Sequence, residues 1–306
     1  EIYHQLTEAT VVSIARSNFS QANLGAFDGI AGIIYLLSHL SDWPDQENAK
    51  YMADRCFHHL DQLDVSEGGV DVIGGIAGTI LCLISYYDAT GETKALRLSE
   101  KIGLLLTKSV IGLGSQDRRS LEWGFGHGPA GPAYALWQLY VRTGEKTYEC
   151  AMRQFVSNLL QKSKQLTLQD VPEAWCNGTS GSLGAFSRIG HFYRDRNLLE
   201  ICRNWFARKC EVDSLAESDC LCHGEMGILD ALISVEQCTG SVEGFGITGR
   251  LRKVLARAAA DGWRSAGSVD SPALMDGLAG IGYQLLRLDS PASVPSVLLL
   301  DPPTRF

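Results

Sequence analysis

Ala174-Trp175-Cys176-Asn177-Gly178-Thr179-Ser180-Gly181 ends in a Gly-x-x-Gly tetrad, one of six that recur in near register along the chain. The others are Gly29 with Gly32, Gly75 with Gly78, Gly128 with Gly131, Gly224 with Gly227, and Gly277 with Gly280, so the first glycines step by 46, 53, 50, 46 and 53 residues. The residue before the second glycine is small in five cases, Ala31, Ala77, Ala130, Ser180 and Ala279, with Met226 the exception. One such tetrad carries no information, but six in near register over almost the whole chain mark an internal repeat.

Each tetrad is followed by a segment that is apolar nearly all round, such as residues 30–40 and 278–288, which predicts a buried helix. Between tetrads runs a second pattern, for example Ala53, Cys56, Phe57, Leu60 and Leu63, whose spacing puts one apolar stripe on an otherwise polar helix. Each repeat therefore reads as an outer amphipathic helix followed by an inner buried one. A ring of such pairs is an all-α, α/α toroid spanning residues 1–306 as a single domain, with six inner helix starts in the sequence. A solenoid would need polar capping repeats, and none reads as one. The ring also accounts for glycine, 32 of 306 residues where average usage would give about 21. Glycine at the first turn lets backbones approach closely and lets the preceding loop adopt positive φ where needed.

Composition narrows the classes. With 27 Lys+Arg against 35 Asp+Glu, the chain carries a formal charge of −8 and a pI near 5.4, which excludes the basic field that nucleic acid demands. No apolar stretch approaches the ~20 residues that cross a bilayer. Nine cysteines, an odd number without a secretory signal, predict free thiols in a reducing cytoplasm. The chain starts at Glu1 and already reads as helix there, as a piece of a longer protein would.

Parallel inner helices would open their N-termini, with free N–H groups and positive dipole ends, at one end of the ring. The residues just before each first glycine, Asp28, Gly74, His127, Asn177, His223 and Asp276, then floor a cavity. Two repeats add a cysteine one position earlier, Cys176 and Cys222. Cys176, Cys222 and His223 form a two-thiolate, one-imidazole set of the kind that holds a catalytic Zn2+ and leaves its fourth position open. Cys220 falls outside the repeat register and is left out of the set. His127, in Gly-Phe-Gly-His-Gly without a neighbouring cysteine, reads as an acid/base group facing the same cavity. Asp71, four residues before Gly75, is placed to orient His127 or stabilise its charged form. Trp175 is read as an apolar wall, and Asp28 and Asp276 as helix N-caps.

Gly-x-Gly-His-Gly, then Trp-Cys-x-Gly, then Cys-His-Gly on a Gly-x-x-Gly repeat resembles the LanC family of lanthionine cyclases across the whole chain. The ending, Gly-Leu-Ala-Gly-Ile-Gly-Tyr-Gln-Leu-Leu-Arg-Leu followed by Pro-Ser-Val-Leu-Leu-Leu, is similar to the C-terminal cyclase region of class II (LanM) lanthipeptide synthetases, which also carry an N-terminal dehydratase. The resemblance implies seven inner helices where the sequence displays six. It implies a zinc-dependent cyclase that adds peptide Cys thiols to dehydroalanine or dehydrobutyrine in a dehydrated precursor peptide, making the thioether rings of lantibiotics. It assigns the zinc to Cys176, Cys222 and His223, the active-site histidine to His127 and its neighbouring acid to Asp71. Two positions depart from the family pattern: Asn177 stands where Tyr or His is common, and Pro172 where Arg often lies. Two other functions compete. A zinc prenyltransferase-like toroid would need a carboxylate ligand and basic residues for a diphosphate, and no Lys or Arg adjoins a tetrad. A zinc scaffold that binds peptide or glutathione without cyclising it would use the same residues.

Overall fold

The structure is a computed structural model that describes residues 5, 8–10, 12–14, 23–41, 47–65, 68–112, 123–163, 171–210, 214–240, 247–267 and 271–304. The helix expected at the start of the chain falls largely outside the described residues. In chain order the helices are α1 Ile30–Ser41, α2 Glu47–Gln62, α3 Ile76–Thr90, α4 Thr93–Gly112, α5 Ala130–Thr143, α6 Lys146–Ser163, α7 Thr179–Tyr193, α8 Arg196–Cys210, α9 Glu225–Thr239, α10 Ile247–Asp261 and α11 Leu278–Asp289. All six tetrads thus start a helix, and a second helix lies between each consecutive pair.

The chain divides into two compact units, one of Glu1–Asp117, Ala135–Arg153 and Leu300–Phe306, the other of Arg118–Tyr134 and Gln154–Leu299. In the first, α1 packs on α3, with α2 against α1 and α4 against α3. The α2 stripe runs through Ala49, Met52, Ala53, Cys56, Phe57 and Leu60, all buried. Leu63, the end of the predicted stripe, is half-buried. In the second, α9 lies between α7 and α11 and contacts α8 and α10. Inner helices are buried on nearly every side, as on α9 from Glu225 through Val235, whereas α10 buries only Arg250 and Val254.

Helix α11 differs from the expectation of all-round burial. It buries Gly280, Ile281, Gln284 and Arg287 but leaves Leu278 39 % and Leu286 64 % exposed. The reason is that its polar residues take the inward face: Arg287 Nε donates to Asp230 Oδ1 of α9 at 2.6 Å, and Ser296 Oγ donates to Asp230 Oδ2 at 2.8 Å. Leu278 and Leu286 are turned outward, and Leu285 and Leu288 are half-buried.

The tetrad glycines work by close approach, without positive φ. Gly75, Gly178, Gly224 and Gly277 are N-caps with φ between −107° and −135° and no side-chain cap. Asp276 is accordingly not the N-cap of α11, because Gly277 fills that position. A Cβ on Gly181 would stand 2.2 Å from Trp175 O, and one on Gly227 would stand 2.1 Å from Leu221 O. In each case the obstacle is the carbonyl six residues earlier, because the loop folds back across the first helical turn. Left-handed backbone instead marks helix ends: Gly91, Gly144, Arg194 and Gly240 have φ between 52° and 78°, each sixteen residues after its repeat's first glycine.

Candidate metal and acid/base site

Backbone hydrogen bonds lace the pre-helical loops of the second unit together. Phe125 N–H donates to Trp175 O at 2.9 Å and His127 N–H to Cys176 O at 2.8 Å. Trp175 and Cys176 N–H both donate to Cys222 O at 2.9 and 3.2 Å, and Leu221 and Cys222 N–H to Met275 O at 3.0 and 3.1 Å. The repeat register is thus a chain of main-chain contacts that places His127, Cys176, Cys222 and residue 275 on successive neighbouring loops. Gly124 is required by it: a Cβ there would stand 2.1 Å from Cys176 O.

Each thiol of Cys176 and Cys222 is the largest influence on the other's titration. Cys176 is lowered to about 7, first by its interaction with Cys222 and further by the charge of His127, against the opposing effect of burial. Cys222 is pushed up, first by Cys176 and then by burial. Cys176 Sγ also reaches Asn177 Oδ1 at 3.7 Å. His223 is 45 % exposed, with Nδ1 4.0 Å from Asp276 Oδ1. Its backbone N–H donates to Cys220 Sγ at 3.5 Å, and Ser218 Oγ lies 3.3 Å from the same sulfur. The donor atoms of Cys220, His223 and Asp276 lie within 4.8 Å of one another, the one such trio of His, Cys, Asp or Glu among the described residues.

The sequence-predicted residues therefore fall into two pairings that meet at residues 222 and 223. Cys222 turns its thiol to Cys176, and His223 sits with Cys220 and Asp276. Cys220 and Asp276 are the residues that the sequence reading sets aside; Asp276 has a signal, because it occupies the same register position as His223 in the next repeat. Trp175 is 2 % exposed, with its indole N–H donating to Leu298 O at 3.1 Å and its ring 5.8 Å from Phe125, so it backs the Cys176 loop from within the core. Asn177 is half-buried, and its carbonyl accepts Trp123 N–H at 3.3 Å. Asp71 belongs to the first unit, where its Oδ1 accepts Gly74 N–H at 3.1 Å and closes the turn before α3. His127 is exposed.

The donors suit a borderline-soft divalent cation. Two half-buried thiols on adjoining loops, with an imidazole next in the chain, are the groups that zinc prefers over the all-oxygen sets of calcium or magnesium. Cys56, Cys82, Cys150, Cys176, Cys202, Cys220, Cys222 and Cys238 form no disulfide. None of the described helices is long and apolar enough to cross a membrane.

Comparison with known proteins bears on the fold and the family. A search of curated proteins finds no match. Sixteen chains of solved structures match. Nisin cyclase aligns over 97 % of this chain and 84 % of its own, with a TM-score of 0.75 and 15 % identity. This likeness shows the fold to be the α/α toroid expected from the repeat. A sugar epimerase from a ruminal bacterium aligns over 75 % of this chain and 74 % of its own, at a TM-score of 0.48 and 12 % identity, too low to bear on the argument. The family model described as "Lanthionine synthetase C-like protein" matches residues 1–299, and the chain belongs to that family.

Proposed function

We propose that this protein is a lanthipeptide cyclase, which closes lanthionine and methyllanthionine rings by adding peptide Cys thiols to dehydroalanine or dehydrobutyrine. The observation that carries the reading is the meeting of Cys176 and Cys222 thiols on neighbouring loops, with His223 next in the chain and the His127 backbone bonded to Cys176. Cys176, Cys222 and His223 would hold a Zn2+ ion. When bound, such an ion acidifies a substrate thiol, whose ordinary pKa of ~8.5 leaves it largely protonated at neutral pH.

The rest of the chemistry falls to the chain. Attack of sulfur on Cβ leaves an enolate that must gain a proton at Cα, while the thiol's own proton must leave. His127, exposed and one main-chain hydrogen bond from Cys176, is the group that moves one of these protons. Asn177 borders the peptide, and Trp175 supports the loop beneath it. The substrate is a precursor peptide already dehydrated, so a dehydratase acts first, whether in the same longer chain or apart from it. The thiol-rich site suits a reducing cytoplasm.

Incubating the protein with a dehydrated precursor peptide and counting free thiols tests the reading. Thiol loss without mass change is expected, because the addition is an isomerisation. Retention of every thiol by zinc-loaded protein would refute cyclisation and leave a zinc-binding scaffold.

A further inference from the structure

Helix α10 is mostly solvated, yet one of its two buried residues is an arginine. Arginine is rarely buried without a specific partner. Arg250 is 7 % exposed, and its guanidinium forks onto Glu225, Nε to Oε2 at 2.7 Å and Nη2 to Oε1 at 3.0 Å. Glu225 is fully buried, opens α9, and lies two residues after His223. Its carboxylate also accepts Ala216 N–H. The same Nη2 of Arg250 reaches Glu173 Oε2 at 3.4 Å, three residues before Cys176. Two helical turns on, Arg257 donates to Ala216 O at 2.9 Å and pairs with Asp219, whose Oδ2 accepts Arg264 N–H at 2.9 Å. The segment that carries Cys220, Cys222 and His223 is thus fastened from α10 at both ends.

Stability alone is a poor reason for this arrangement. Desolvation of a buried ion pair commonly offsets its Coulomb attraction, so an apolar pair of similar volume would hold α10 about as well. What a planar fork adds is a fixed distance between the groups that it grips. A favourable N-terminal acid on α9 would explain Glu225 by itself. It does not explain why the same guanidinium reaches the Cys176 loop.

We propose that Arg250 is a positioning residue that sets the separation of the two thiol-bearing loops, gripping Glu225 on one and Glu173 on the other. Its bearing on metal rests on the reading of Cys176, Cys222 and His223 as zinc ligands; its bearing on the two thiols does not. Glu173→Ala is the cleanest test, since Glu173 is 28 % exposed and its loss leaves the Arg250–Glu225 fork intact. In the metal-free full chain, oxidised glutathione converts the Cys176 and Cys222 thiols to a disulfide and is itself reduced to two glutathione thiols. Peptide mass mapping follows that bond. Its rate of formation is expected to fall about 10-fold in Glu173→Ala and to recover in Glu173→Gln, whose amide oxygen still accepts from Nη2. Zinc affinity, read by competition with a chromogenic chelator, is expected to fall about 10- to 100-fold in Glu173→Ala and in Arg250→Lys, the scale typical of support groups around a metal. An unchanged disulfide rate in folded Glu173→Ala would overturn the proposal. Failure of the native protein to bind zinc would refute the ligand reading alone, and the disulfide rate would still decide the clamp.

Discussion

Two glycines on α11, two residues apart, should respond oppositely to the same substitution. At Gly282 no atom lies within 4 Å of the point where an added methyl would stand, so Gly282→Ala gains only the helix propensity and the lost unfolded-state freedom. That gain is roughly 0.5–1 kcal/mol. Gly280→Ala gains the same amount, but its Cβ would stand 1.8 Å from Leu274 O and 3.0 Å from the Leu221 side chain. The first obstacle is backbone and cannot swing aside, so the cost lies at the upper end of the ~1–3 kcal/mol usual for overpacking. Net destabilisation should be about 2 kcal/mol. With an m-value of about 3 kcal/mol/M, the urea midpoint followed by circular dichroism would drop by about 0.7 M in Gly280→Ala and rise by about 0.3 M in Gly282→Ala. A neutral or stabilised Gly280→Ala would refute the close-approach account of the tetrads. Destabilisation by Gly282→Ala would refute the open-face description of α11.

Zinc content measured by plasma mass spectrometry should fall from one equivalent to none in Cys176→Ala, Cys222→Ala and His223→Ala, and persist in Cys220→Ser. His127→Asn should retain zinc yet lose cyclisation by a factor of about 10²–10⁴, the usual range for a general acid or base; full activity would remove the role. Asp230→Ala strands the Arg287 guanidinium, 2 % exposed, and should cost about 3–5 kcal/mol in urea unfolding. Burial pushes the Cys56 and Cys202 thiols up to about 11 and about 12 from an ordinary 9.0. Their neutral form is favoured by folding, so this stabilisation is complete below pH 9 and is lost as pH climbs through 11 to 12. At about pH 8 a thiol reagent should label exposed Cys150 at once and reach Cys56 and Cys202 only after unfolding.

The sequence made the repeat legible because glycine is demanded by backbone collision, which leaves no choice of residue. The thiol pair was legible for the same reason: Cys176 and Cys222 hold one register position on neighbouring loops. Helix α11 misled because a run of leucines carries no information on which face Arg287 and Gln284 will claim. Asp276 looked like a cap because acidic residues commonly precede helices, but the glycine beside it was already serving that purpose. The Arg250 contacts were out of reach altogether. They join residues 25 and 77 positions apart, from α10 to the start of α9 and to the loop before α7, with no spacing that periodicity could detect.

A main-chain belt has a consequence for how such a site can vary. The contacts that place residues 127, 176, 222 and 275 run from N–H to C=O, so they are indifferent to the side chains displayed between them. Register positions can therefore carry Gly74, His127, Asn177, His223 or Asp276 without disturbing the helix starts, which depend only on the glycine that follows. Side-chain anchoring enters where the belt alone is insufficient, at Glu173, Asp219 and Glu225, and there it is charged and met by arginines of the outer helix. Scaffold and chemistry are thus separated within one repeat. Glycines and backbone set where a group stands, Arg250 of α10 sets how far apart the two thiol loops stand, and the residue in front of each glycine remains open to the requirements of the reaction.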